Sequence, residues 1–146
     1  MLTLAIAVVS GAAYGIGLGE NARAFLISRA LKEFVLIITS LGGNLETVYG
    51  LSGLGDLIVT ASSFNSRNFK CGINIGHGMA LDEAIRTVGQ SVEGVRAIEA
   101  SYLIGKKYNL DLPIINIAYD IINKKYSVND AISKILSREL KNEKYW

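Results

Sequence analysis

Apolar residues recur at helical spacing along nearly the whole chain, and nowhere do they alternate across the tight turns that a sheet needs. The clearest run is Phe25, Leu26, Ala30, Leu31, Phe34, Ile37, Ile38 and Leu41, interrupted only by Arg23, Arg29, Lys32 and Glu33. It predicts a long central helix over 21–41, capped near Glu20 and Asn21 and ended by Gly42-Gly43-Asn44. Before it, residues 2–10 read as an apolar helix stopped by Gly11, with a glycine-rich turn over 11–19. After it come a short helix at 45–49, one beginning near Asp56, one from Ser66 to Gly76, and one opened by Leu81-Asp82-Glu83. Residues 93–108 form an amphipathic helix with Val95, Ile98, Ala100, Tyr102, Leu103 and Ile104 available for packing. Pro113 fits the first turn of a helix running to about residue 124. Ser127-Val-Asn-Asp130 outlines a capping box for a last helix over 128–141. The expectation is an all-α multi-helix bundle in one domain, residues 1–146, with no repeat or internal linker.

Composition narrows the function classes. Half of the 146 residues are hydrophobic, and the mean hydropathy of +0.32 is high for a free-standing domain. Either many helices are buried all round, or a face meant for a partner is exposed, such as a missing domain or a second copy in a homo-oligomer. The net charge is only +2 with Lys and Arg dispersed, which leaves no footprint for nucleic acid. One cysteine, Cys71, excludes an intramolecular disulfide and fits a reducing, cytoplasmic setting. The lone His77 has no neighbouring His, Cys or spaced carboxylate, so no metal site is expected. Residues 1–19 carry no charge, but Gly11, Gly15, Gly17 and Gly19 break the run well short of the about 20 residues that a membrane span needs.

The chemistry concentrates in Gly53-Leu-Gly-Asp56-Leu-Ile-Val-Thr60 and the following Ser66-Arg67-Asn68. Asp56 and Thr60 lie four apart and share a helix face. Ser66 can cap the next helix, whose first-turn amides together with the Arg67 guanidinium suit an anion. A carboxylate for hydroxyls beside an arginine for phosphate suits a small phosphorylated polyol. The same residues also fit a capped helix–turn–helix with a solvated arginine, and spacing alone leaves both readings open.

These residues also carry a resemblance. The run GLGDLIVTASSFNSRNFKCG is similar to the segment of bacterial NAD(P)-dependent glycerol-3-phosphate dehydrogenases that closes on glycerol phosphate. Gly15-Ile-Gly-Leu-Gly-Glu-Asn21-Ala-Arg23-Ala resembles that family's glycine-rich turn into its long helix. Gly89-Gln90-Ser91-Val92-Glu93-Gly94 resembles its Gly-x-x-x-Glu-Gly element, and Arg138-Glu139-Leu-Lys141 its usual C-terminal ending. The resemblance spans nearly the whole chain, in order. It implies the C-terminal, substrate-binding domain of such an enzyme, a bundle like the C-terminal domain of 6-phosphogluconate dehydrogenase. By that resemblance Asp56, Thr60, Ser66, Arg67 and Asn68 contact glycerol-3-phosphate or dihydroxyacetone phosphate. Arg67 and Glu93 approach the NAD or NADP cofactor.

Two family features are not found. No Gly-x-Gly-x-x-Gly turn follows a strand, so the N-terminal Rossmann domain that holds the dinucleotide is expected to be absent. The family's Lys-Asn-x-x-Ala-x-Ala-x-Gly run, whose Lys accepts the proton of the substrate hydroxyl, aligned on Gly11 puts Thr3 at the Lys and Leu4 at the Asn. A threonine is no general base at neutral pH without another base to activate it. The isolated chain is therefore expected to be inactive, with Asp56 in a supporting role only. The alternative is a non-catalytic helical interaction or oligomerisation module derived from that domain.

Overall fold

The computed structural model describes residues 2–61, 63–89, 91–123, 127–131, 133–134 and 137. Its elements are α1 (Leu2–Gly15), α2 (Glu20–Ser40), α3 (Leu45–Tyr49), a π-helical turn (Leu51–Gly55), α4 (Asp56–Ala61), α5 (Arg67–Gly76), α6 (Leu81–Thr87), α7 (Glu93–Tyr108) and α8 (Pro113–Ile122). Residues 128–131 are helical as well, and no strand occurs among the described residues. The predicted C-terminal ending at Arg138, Glu139 and Lys141 lies outside them.

Gly11 does not stop the first helix, which runs on to Gly15. The reason is tertiary. Gly11 and Gly15 share one face of α1, and Gly72 and Gly76 share one face of α5. A Cβ on Gly11 would lie 3.0 Å from the Gly72 Cα, and one on Gly15 would lie 3.1 Å from the Gly76 Cα and 2.5 Å from the Ile73 carbonyl oxygen. The two backbones touch, which only glycine allows. Because residue 11 meets 72 and residue 15 meets 76, the helices run in the same direction with their starts at one end. The real turn is Ile16–Gly19, where Gly17 takes φ +89 and the Leu18 amide donates to the Ala13 carbonyl at 3.1 Å.

The long helix forms where its period places it, but it is not the most enclosed element. Every residue of α1 from Ala5 to Ala13 is buried, as is Thr3; α2 buries only Leu26, Ala30, Glu33 and Ile37. Its N-cap is Gly19 rather than Glu20 or Asn21, with no side-chain cap bond. In α7, Val95 and Ile98 are buried and Tyr102 and Ile104 pack against the core. Ala100 and Leu103 face solvent instead. The buried face runs through Gly94, Ile98, Ser101 and Gly105, and a residue two positions away from it points to the far side of a helix.

Glu33 is the unexpected core residue, 1% exposed. Its carboxylate accepts the Ile114 amide at 2.8 Å and the Ile115 amide at 3.0 Å. It thereby caps α8, whose first residue is Pro113. Burial pushes the Glu33 carboxyl up to about 7, against the two amides and Arg29, which favour the charged form, and with Asp111, which opposes it.

Two outcomes follow. Gly72→Ala should cost about 3 kcal/mol in chemical unfolding, since its Cβ would strike the Val8 carbonyl and approach the Gly11 Cα at 2.9 Å. Gly19→Ala, with nothing within 4 Å, should cost less than about 1 kcal/mol. Because the Glu33 pKa is raised on folding, its contribution is complete below about pH 4.5 and is lost as pH climbs through about 7. Unfolding free energy should therefore fall by roughly 2–3 kcal/mol between about pH 5 and pH 8. Glu33→Gln should remove that slope.

Candidate functional site

The parallel pairing of α1 with α5 decides where the polar residues meet. It brings Thr3 and Leu4, at the start of α1, to the same end of the bundle as Ser66, Arg67 and Asn68 at the start of α5. Two further helix starts join them there.

The first is α4. Its approach is a π-helical turn in which the Gly55 amide donates to the Gly50 carbonyl at 3.3 Å. Gly53 lies so close beneath that a Cβ would be 2.8 Å from the Thr47 carbonyl oxygen, which explains the glycine at that position. The wide turn rotates α4 so that Leu57 is buried at 1% exposure while Ile58 and Val59 are 61% and 70% exposed. Asp56 then opens the helix with its carboxylate at the surface. The buried Thr3 hydroxyl donates to Asp56 Oδ2 at 2.7 Å. Residues separated by 53 positions thus form one unit.

The second is α7. Asn68 is 8% exposed, and its Oδ1 accepts the Gly94 amide at 2.7 Å. A Cβ on Gly94 would meet the Leu4 carbonyl oxygen, the Val8 side chain at 2.7 Å and Asn68 Oδ1 at 2.6 Å. Position 94 must be glycine for α7 to start against α1 and α5 together. Glu93, one residue earlier, stands exposed in that first turn. Ser66 caps α5, its Oγ accepting the Phe69 amide at 3.3 Å and its carbonyl accepting the Lys70 amide at 3.0 Å. Arg67 is the first residue of that helix and is exposed.

The first turns of α1, α4, α5 and α7 therefore converge. Helix starts carry positive partial charge and unpaired amides, so this end of the bundle favours an anion. Asp56 supplies the one carboxylate bonded to Thr3, as an acceptor for hydroxyls. Of the residues expected from sequence, Asp56, Ser66, Arg67, Asn68 and Glu93 are all found at this end. The Asn68 oxygen is committed to the backbone. Thr60 lies in α4, with its side chain outside the described atoms. Sequence reasoning did not find the Thr3 hydroxyl as a partner of Asp56, nor the Leu4 backbone as a floor. No local signal marks either, because both depend on helix packing.

Among the described residues no group of three or more His, Cys, Asp or Glu could hold a metal ion. No described helix is long and apolar enough to cross a membrane. Asn68→Ala should cost about 1–3 kcal/mol by leaving the buried Gly94 amide without an acceptor. Asn68→Asp, which keeps an oxygen there, should recover most of it in urea unfolding.

Residues 2–133 match the family described as NAD-dependent glycerol-3-phosphate dehydrogenase C-terminus. The chain is 50% identical over 139 residues to the glycerol-3-phosphate dehydrogenase (NAD(P)+) of Acholeplasma laidlawii, covering 95% of this chain and 42% of that relative. It is 44% identical over 138 residues to the enzyme of the same name from Clostridium botulinum, covering 94% and 42%. The crystal structure of glycerol-3-phosphate dehydrogenase from Coxiella burnetii matches with a TM-score of 0.90 at 32% identity, over 92% of this chain and 42% of that one. The chain thus spans about two fifths of the length of these relatives. It belongs to the NAD-dependent glycerol-3-phosphate dehydrogenase family and corresponds to that family's C-terminal part.

Proposed function

We propose that this chain is the substrate-binding half of a glycerol-3-phosphate dehydrogenase. The complete enzyme would move hydride reversibly between NAD or NADP and the glycerol-3-phosphate/dihydroxyacetone phosphate pair, feeding glycerophospholipid synthesis. The observation that carries the reading is the convergence of four helix starts on Thr3–Asp56 and Asn68–Gly94. Arg67, with the amides that Ser66 leaves at the start of α5, grips the phosphate; its planar fork does this better than a lysine could. Asp56, and Thr60 one turn on, accept from the substrate hydroxyls. Asn68 holds the α7 start in place from α5 and faces the same ligand. Fixing the phosphate at one end and the hydroxyls at the other orients the central carbon for transfer.

The cofactor supplies the hydride acceptor. Arg67 and Glu93 fit its approach, since both are exposed at helix starts tied together by Asn68 and Gly94. The described residues contain no strand, so the dinucleotide would be held by an N-terminal Rossmann domain in a complete protein. That domain would also decide between NAD and NADP. The exposed Ile58 and Val59 beside Asp56 suit a covering partner, either that domain or a second copy in a dimer. A cytoplasmic location belongs to the same reading.

Oxidation also requires a group to take the hydroxyl proton. Thr3 spends its own proton on Asp56 and cannot serve as that base. This favours a second, narrower reading, a domain that binds the ligand without catalysing. Under either reading the chain alone should not turn over glycerol-3-phosphate. Glycerol-3-phosphate titrated into the labelled chain should shift the Ser66 to Lys70 amides with affinity of about a millimolar. Arg67→Ala should abolish those shifts. Shifts elsewhere, or shifts that survive the substitution, would remove Arg67 from the phosphate role.

A further inference from the structure

Three aromatic rings from separate segments meet beside the start of α5. The Phe64 ring stands edge-on to Tyr14 of α1, centroids 5.1 Å apart at 82°, and edge-on to Phe69 of α5 at 5.3 Å and 87°. Tyr14 and Phe69 close the triangle at 5.9 Å. The guanidinium of Arg23 in α2 lies over the Tyr14 ring, 5.1 Å from its centroid. Phe69 is fully buried, whereas Tyr14 is 40% and Phe64 54% exposed. These separations and tilts are those at which ring edges attract ring faces. Half-exposed as it is, Phe64 contributes little to the core. Its place in the chain is what matters, two residues before the Ser66 cap and three before Arg67.

Two hydrogen bonds among the described residues shape the turn that holds Ser66. The Asn65 amide donates to Ser63 Oγ at 3.2 Å, and the Ser66 amide donates to the Ser63 carbonyl at 3.0 Å. Both bonds are local to the turn and fix its shape without fixing it to the body. The Phe64 ring bridges the turn to α1 and α5. We propose that Phe64 is a positioning residue: its ring clamps the 63–66 turn so that Ser66 caps α5 and Arg67 stands ready for a phosphate. The clamp rests on the phosphate role given to Arg67 for its purpose, but its mechanical part stands independently.

Amide hydrogen exchange in the ligand-free chain tests the mechanical part. The Phe69 and Lys70 amides, which donate to Ser66, should exchange about fivefold to tenfold faster in Phe64→Ala, the factor that one or two aromatic edge contacts supply. Phe64→Tyr, which keeps the ring, should restore wild-type rates, and Phe64→Leu should not. The Ile115 amide, held by Glu33 at the start of α8, should be unaffected. Titration with inorganic phosphate should show a dissociation constant raised by a similar factor, about fivefold to tenfold, in Phe64→Ala and recovered in Phe64→Tyr. Unchanged exchange at Phe69 and Lys70 would overturn the clamp, whatever phosphate does. Equal acceleration at Ile115 would overturn it too, by making Phe64 a general structural residue. If the wild-type chain shows no phosphate shifts at Ser66 to Lys70, the ligand role of Arg67 fails, and the exchange rates still decide the clamp.

Discussion

The contact between the glycine faces of α1 and α5 governs everything downstream. With Gly11 on Gly72 and Gly15 on Gly76, backbone meets backbone over a full turn of each helix. Such a seam tolerates no slip, because displacing either helix along its axis drives side chains into main-chain atoms. The pairing therefore fixes both the direction and the register of α1 against α5. Register is what sets Thr3 and Leu4 beside the start of α5. Gly94 then lets α7 start on both, and Thr3 bonds the start of α4. A polar site drawn from widely separated residues depends on five glycines that carry no chemistry.

Local signals in the sequence reveal the elements better than their arrangement. The apolar period of 21–41, Ser66 ahead of Arg67, and Pro113 at a helix start are each written within a few residues, so each is legible. Ser127 accepting the Asp130 amide is of the same kind, whereas Asn44, read as part of the end of the long helix, caps the next one by accepting the Glu46 amide. Gly11 misleads because its local effect, breaking a helix, is opposite to its tertiary role as a close-approach surface. Glu33 misleads for a related reason. In a helical period it reads as one of few solvated charges, yet it caps α8 from 81 residues away. The polar motifs could be matched to a family from their order. That Asn68 spends its oxygen on Gly94 could not be read, since that requires knowing where α7 starts in space.

The pair formed by Thr3 and Asp56 gives this chain its individual character. The hydroxyl is buried, the carboxylate exposed, and the bond between them short. Such a pair orients the carboxylate without neutralising it, which preserves an acceptor for ligand hydroxyls. Thr3 itself, donating to that carboxylate, supplies no base at position 3. Under the proposed function, binding and chemistry are separable: the helix starts and Arg67 would serve the first, and the second would need a base that position 3 does not provide.

A chimera tests the central claim most directly. The N-terminal part of the Acholeplasma laidlawii relative, which this chain does not match, would be fused ahead of residue 2, with and without Thr3→Lys. If this domain retains a substrate site lacking only its base, the fusion carrying Thr3→Lys should reduce dihydroxyacetone phosphate with a nicotinamide cofactor. Asp56→Asn in that fusion should abolish the reaction, and the fusion with Thr3 should be inactive. Equal turnover with Thr3, or turnover indifferent to Asp56→Asn, would contradict the account.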